Sequence, residues 1–411
     1  MCAPIKIPEK KYHLSEVYDL YWEDYIRSKQ RKLWLEDKHF EAVNKARVCG
    51  SEKLGIAVFS CTECGDSVYI FRSCKHRFCA KCGNADTNQW AASTLSKLIN
   101  FKHHHVVTTL PKELRPLAKM NQNLLFNLLF KISAEILRSW FKAKHNLLRG
   151  IVSVLHTAGS DLKFHPHIHM LVLAGGKLID QDKYKMLDQN YLCDQQFLGK
   201  QLKIQFRAAL IKLYKNNEII VHQSLVDNNK FISWLYRIKA DNWIVSVQKP
   251  LDDVEKIVGY VGRYTKRACL SEYKIEAIQP NIKFRFNDYA NSNRNEKPIE
   301  AIKQMKPFEF LDALLQHVPD KRYRMIRYFG IYNSRYLNKI PKELKLTKQK
   351  IKPVDLNQFE HDEFKLYRKA FIKAGKPDPL YCQFCKRDMI LIGFKLKNKF
   401  IEANTEYENS S

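Results

Sequence analysis

Two short cysteine pairs near the N-terminus constrain this chain more than any other feature. Cys61-Thr62-Glu63-Cys64-Gly65 and Cys79-Ala80-Lys81-Cys82-Gly83 are matched knuckles, each ending in glycine, with the strand-like run Ser67–Phe71 between them. A piece this small cannot fold on its own apolar surface, and four thiolates at this spacing close a tetrahedral zinc site that staples it. The preferred ligands are Cys61, Cys64, Cys79 and Cys82. Cys74 falls between the pairs and is the substitute, and Cys49 and His76 are close in sequence, so spacing leaves the set open. One structural zinc is the expectation, since a redox role would want one reactive pair and not two matched knuckles.

Charge is the second constraint. Seventy Lys and Arg against 43 Asp and Glu leave 411 residues with a formal charge of +27. Such an excess on a folded protein points to a polyanionic partner, most often nucleic acid. The charge is spread through YTKRA (264–268), Lys321 to Arg327 and Lys342 to Lys352, which suggests a long phosphate-contacting track. No stretch approaches the roughly 20 apolar residues that span a bilayer, and no signal peptide opens the chain. The eleven cysteines then read as thiols of a reducing compartment, which makes a cytoplasmic protein the expectation.

Two further patterns carry chemistry. In His165-Pro166-His167-Ile168-His169-Met170-Leu171-Val172-Leu173, alternation along an extended strand puts the rings of His167 and His169 on one face, with Ile168 and Met170 behind them. Two imidazoles on one face can hold a divalent ion. A third ligand is expected, and His156 is the candidate because strand 151–157 can lie beside strand 167–173. His165 and Asp161 are the alternatives, and His103 to His105 would approach if their strand is adjacent. Later, Tyr260 and Tyr264 stand four apart, so on a helix capped by Asp252 they share one stripe. A phenol with an ordinary pKa near 10 is a poor nucleophile at neutral pH. A metal-polarised phosphate and the neighbouring cations Arg263, Lys266 and Arg267 offset that. The pair of motifs reads as a metal-dependent tyrosine nuclease using Mg2+ or Mn2+.

The order of the motifs, histidines first and tyrosines second, is that of the HUH endonucleases (His, hydrophobic residue, His). The strings LHTAGSDLKFHPHIHMLV (155–172), YVGRYTKRACLS (260–271) and CTECG…SCKHRFCAKCG (61–83) resemble the transposases of the IS ninety-one family. FRFNDYA (284–290) and HVPDKRYRMIRYFGIY (317–332) extend the likeness over most of residues 49–335. The resemblance implies a rolling-circle, two-tyrosine transposase that nicks and rejoins single-stranded DNA at element ends through a 5′-phosphotyrosine. It implies DNA ends and target as partners, and two linked cleavages. Another HUH enzyme, a plasmid replication initiator or a relaxase, is the nearest rival. A non-catalytic zinc-containing DNA-binding regulator is the rival from a different class.

Periodicity supplies the remaining organisation. A helical arm is expected over 1–48, with Val17, Leu20, Tyr21 and Tyr25 at helical spacing, and a zinc-ribbon-like module over 49–100. The nuclease domain follows over 101–290: strands at 103–111, 151–157, 167–173 and 242–250, helices through Leu125–Trp140 and 198–215. That pattern predicts an α+β fold, an antiparallel sheet with helices packed on one face. A basic region, 291–411, closes the chain, with a loop at 291–295, a helix over Ile299–His317 and a polar, disordered tail. A lone Cys382-x-x-Cys385 has no assigned role.

Overall fold

The computed structural model describes residues 12–28, 34–187, 192–239, 243–248, 258, 268–289, 291–292, 298–345, 368, 378–396 and 399–403. The longer helices are α1 (Leu14–Arg27), α2 (Asp37–Val48), α3 (Gly83–Leu95), α4 (Gln122–His145), α5 (Gln195–Lys215), α6 (Asn228–Arg237) and α7 (Pro307–Leu315). The strands are β1 (Ile56–Ser60), β2 (Ser67–Phe71), β3 (His103–Thr109), β4 (Leu147–Leu148), β5 (Gly150–Ala158), β6 (Phe164–Leu173), β7 (Gly175–Leu178) and β8 (Tyr184–Met186). They continue with β9 (Val245–Val247), β10 (Ile275–Ala277), β11 (Ile282–Asp288), β12 (Ile299–Met305), β13 (Ile326–Gly330), β14 (Ile390–Leu396) and β15 (Lys399–Glu402). Residues 90–265 and 319–348 form one compact unit, and residues 1–89, 266–318 and 349–411 form the other.

The first unit is built on a five-stranded sheet of order β13-β5-β6-β3-β9, antiparallel at every pairing. The central strands β5 and β6 are apolar on both faces because both faces are covered. On one, Ile151, Leu155, Ile168, Met170 and Val172 pack with Leu125, Leu129, Ile132 and Ile136 of α4 and with Leu202, Phe206 and Leu210 of α5. The α4 residues fall at 3- and 4-residue steps, so a single stripe meets the sheet. The helix stops at Asn146 in the left-handed conformation (φ 54°), after a last turn containing Lys142, Lys144 and His145 that suits the negative end of the helix dipole. Asp194 and Asp227 cap α5 and α6 by accepting from the Phe197 and Lys230 amides, both at 2.9 Å.

On the opposite face Val152, Val154, Leu171 and Leu173 cluster with Leu98, Ile99, Val258, Ile331 and Tyr332. Tyr332 anchors it: its hydroxyl accepts from the Ile99 amide (3.2 Å) and donates to His103 Nε2 (2.7 Å), while His103 Nδ1 donates to the Phe101 carbonyl (2.8 Å). His103 is therefore held neutral, and burial lowers both its pKa and that of His104 to about 4. Two glycines admit this packing. A Cβ on Gly150 would lie 2.5 Å from the Tyr332 ring, and one on its register partner Gly330 (φ +60°) would lie 1.5 Å from the Arg149 carbonyl oxygen.

The second unit has two sheets, β15-β14-β1-β2 and β10-β11-β12. In α1 the buried stripe is Val17, Tyr18, Trp22 and Tyr25, whereas Leu20, expected on that stripe, is exposed. Trp22 packs edge-on against Phe40 of α2, and the Tyr25 hydroxyl donates to Asp312 of α7 at 2.8 Å.

Two expectations need correction. Residues 299–317 are not one helix: Ile299–Met305 pairs with β11 along its whole length, and the helix begins at Pro307. Proline disfavours a helical residue before it and has no amide to donate, so it opens a helix but cannot sit inside one. The polar tail expected to be disordered is also ordered at its start, because β14 joins the sheet of the cysteine module and β15 pairs with β14. Ile401 and Glu402 belong to β15; residues 404–411 lie outside the described residues.

Gly330→Ala should lower the unfolding free energy by about 2 kcal/mol or more, since it adds both a backbone clash and a left-handed alanine. A denaturant midpoint equal to that of the parent chain would contradict the β5–β13 register. A second outcome follows from His103 and His104. Their folded pKa values lie below the ordinary 6.5, so the unfolded chain binds more protons between about pH 4 and 6.5. Their stabilising contribution is complete above pH 6.5 and is lost as pH falls through that window. The urea midpoint at pH 5 should fall below that at pH 7.5; equal midpoints would contradict neutral burial.

Candidate active site and metal centres

The register of β5 and β6 assembles three imidazoles. His156 stands opposite His167, and Val154 opposite His169, so His156, His167 and His169 project from the same face. Their ring centroids lie 4.2 Å (His156–His169), 4.9 Å (His167–His169) and 5.3 Å (His156–His167) apart. One nitrogen from each falls within 4.8 Å of the other two, a donor set that fits a divalent cation. His156 and His169 are buried, while His167 keeps some exposure to solvent.

Hydrogen bonds decide which nitrogen of each ring carries the lone pair. His167 Nδ1 donates to the His165 carbonyl at 2.6 Å, so its Nε2 is the deprotonated nitrogen. For His169 the decision is relayed from β3 and beyond β9. The Gln248 side-chain oxygen accepts from His105 Nδ1 (2.8 Å), which leaves His105 Nε2 to accept from His169 Nδ1 (2.8 Å). His169 Nε2 is then the basic nitrogen, the kind of outer hydrogen bond that orients ligating histidines. Burial is the first cause that lowers the pKa of His167 to about 4 and that of His169 well below the ordinary value. Neutral rings are the form in which histidine binds a metal.

Sequence spacing missed Gln248, which the register brings in: β9 pairs with β3, and the Gln248 amide bonds the His105 carbonyl at 2.9 Å. The alternative third ligands are engaged with cations. His165 Nδ1 accepts from Arg115 at 2.6 Å, and Asp161 pairs with Lys163 at 2.8 Å. Tyr260, Tyr264, Arg263, Lys266 and Arg267, with the expected cap Asp252, lie outside the described residues. Val258, two residues before Tyr260, is helical and fully buried in the apolar cluster on the histidine face of the sheet.

The thiols sort into two groups that differ from the expected set. Cys49, Cys74, Cys79 and Cys82 gather in one, and Cys61 and Cys64 gather with Cys382 and Cys385 in another. Hairpin geometry is the reason. Ile56 pairs with Phe71 at the open end of β1–β2 and Ser60 with Ser67 at the turn. Cys61 and Cys64 sit at the turn and Cys49 and Cys74 flank the open end. Five strand residues at about 3.4 Å each separate the ends by far more than one zinc can bridge. The set Cys61, Cys64, Cys79 and Cys82 is thus replaced, and Cys74 is a member of the first group in its own right.

The first group fits zinc. Cys74 and Cys82 sulfurs lie 3.6 Å apart, close to the ~3.8 Å edge of a tetrahedron with zinc–sulfur bonds of about 2.3 Å. The Cys74 amide donates to Cys49 Sγ at 3.4 Å, and α3 starts at Gly83, directly after Cys82. Bonding to Cys49 and then Cys74 holds the Cys82 thiol far above its usual range, while Cys49 is held far below. Four adjacent thiolates need a divalent cation to coexist.

Comparison with known proteins agrees with both regions. Residues 17–110 match the family model described as "Transposase zinc-binding domain", and residues 150–339 match one described as "Putative transposase". The chain is 30% identical over 374 residues to the "Transposase for insertion sequence element IS801" of Pseudomonas savastanoi pv. phaseolicola, covering 87% of this chain and 84% of that protein. It is 29% identical over 295 residues to the "Putative transposase y4qJ" of Sinorhizobium fredii, covering 70% of this chain and 73% of that protein. No solved structure matches. With a zinc-binding segment ahead of the histidine sheet and similarity along most of its length, the chain belongs to the IS ninety-one family of transposases.

Proposed function

We propose that this transposase nicks and rejoins single-stranded DNA at the ends of a mobile element, by a rolling-circle route that passes through a 5′-phosphotyrosine. One observation carries the reading. The three-histidine cluster and Val258, two residues from Tyr260, belong to the same face of the same sheet. His156, His167 and His169 hold Mg2+ or Mn2+, which when bound polarises the scissile phosphate and offsets charge in the transition state.

Every other step belongs to the chain. Tyr260 or Tyr264 attacks phosphorus, the bond to the 3′-oxygen breaks, and the phenol proton is balanced by protonation of that leaving oxygen. The products are a 5′-phosphotyrosine and a free 3′-hydroxyl. Attack by that hydroxyl reverses the step and rejoins DNA without ATP. Arg263, Lys266 and Arg267 stabilise the phenolate and the phosphate charge. DNA is the partner, and a net charge of +27 supplies the affinity through phosphate contacts, which makes binding strongly salt-dependent. No helix among the described residues is long and apolar enough to cross a membrane.

Labelled single-stranded oligonucleotides from the flanks of the encoding gene, incubated with Mg2+ or Mn2+, should yield a covalent protein–DNA band. Tyr260→Phe and Tyr264→Phe should each keep adduct formation yet fail to complete strand transfer, and the double variant should form no adduct. An adduct on the double variant would place the nucleophile elsewhere. Complete absence of adduct from the parent chain would favour a non-catalytic DNA-binding protein. Separately, Gln248→Leu should weaken Mn2+ binding by roughly 10- to 100-fold, because His169 loses its tautomeric bias. Unchanged Mn2+ affinity by calorimetric titration would rule out the Gln248–His105–His169 relay.

A further inference from the structure

From the second thiol group we infer that the transposase holds a second structural zinc, on Cys61 and Cys64 together with Cys382 and Cys385, the latter pair lying outside the segment matched as zinc-binding. The site forms only when the chain returns to its N-terminal module: Cys64 and Cys382 are 318 residues apart in sequence, yet their sulfurs are 3.6 Å apart. All four sulfurs lie within 4.8 Å of one another. The partner pair begins at Cys382, well beyond residue 110, where the zinc-binding match ends.

The two halves are the same piece of backbone built twice. In the first, the Gly65 amide donates to the Cys61 carbonyl (3.0 Å) and the Cys61 amide to the Asp66 carbonyl (2.8 Å). In the second, the Lys386 amide donates to the Cys382 carbonyl (3.0 Å) and the Cys382 amide to the Arg387 carbonyl (2.8 Å). The residue after each second cysteine is left-handed, Gly65 at φ 72° and Lys386 at φ 53°. A lysine adopts that conformation at some cost, and Lys386 takes it at the same place in its knuckle as Gly65 does in the first. The Cys385 amide also donates to Cys382 Sγ at 3.4 Å, a bond that stabilises thiolate charge.

The surrounding structure brings the knuckles face to face. β1 pairs with β2 on one side and β14 on the other, and Ser60 meets both Ser67 and Ile390 at the same end of the sheet. Both knuckles therefore emerge from one edge, where Arg387 bonds Glu63 across them at 2.6 Å. Arg368 secures the second knuckle from behind, with Nε on Asp378 (2.8 and 2.9 Å) and Nη2 on Asp388 (2.5 Å). On binding, zinc exchanges the thiol protons for four zinc–sulfur bonds and ties strands β14 and β15 to the hairpin β1–β2.

The test is zinc content of the full-length chain purified without chelator. Cys382→Ser/Cys385→Ser should contain one equivalent less than the parent, and Cys74→Ser/Cys82→Ser, in the other group, should also contain one less. Zinc in Cys382→Ser/Cys385→Ser equal to the parent's would overturn the inference. Should that variant not be recovered folded, the parent chain answers the question. A sulfur-specific mercurial should release two equivalents of zinc beyond what a metallochromic dye removes alone, and release of one would overturn it. Histidine-bound metal contributes to neither difference, so failure here is separable from failure of the nuclease reading.

Discussion

The antiparallel register between Gly150–Ala158 and Phe164–Leu173 is the constraint on which the candidate active site depends. It sets His156 against His167 and alternates polar with apolar along one strand, so a single pairing serves both the histidine cluster and the core behind it. A slip of one residue would turn Ile168 and Met170 to the histidine face and bury the imidazoles under α4. The register is held from both sides. His105 on the neighbouring strand bonds His169 directly, and the Gly150–Gly330 pair lets β13 and the Tyr332 ring close against β5.

Burial gives the histidines their chemistry and exacts a structural condition in return. A buried imidazole must be neutral and must have its N–H satisfied. Backbone carbonyls meet that condition for His103 and His167, and Gln248 meets it for His169 through His105. The same bonds that satisfy the N–H groups choose the tautomer. Cohesion of the sheet and choice of tautomer thus arise from one set of contacts, in which Gln248 reaches His169 through His105.

How much of this the sequence revealed depends on range. The alternation in HPHIHMLV is local, and it shows that His167 and His169 share a face. The apolar step pattern from Leu125 to Ile136 likewise marks α4. His156 followed from the short connection between two strands, which makes antiparallel pairing the simplest geometry. What remained hidden is long-range. Nothing in the spacing of Cys61 and Cys64 announces that Cys382 and Cys385 stand beside them, because two incomplete knuckles at 61–65 and 79–83 imitate one complete site. Gln248 carries no local signal at all. The segment 299–317 shows a different limit. Its first half has Ile299, Ile302 and Met305 at helix-like intervals, and only pairing with β11 and the stop at Pro307 make it a strand.

The central claim is that His156, His167 and His169 form the divalent-metal centre of the transposase. Crystals of the full-length protein grown with Mn2+, with diffraction recorded on either side of the manganese absorption edge, test it most directly. The account predicts an anomalous peak within bonding distance of the Nε2 atoms of His167 and His169 and of a His156 nitrogen. A well-ordered histidine cluster without such a peak, or manganese bound only elsewhere, would contradict it.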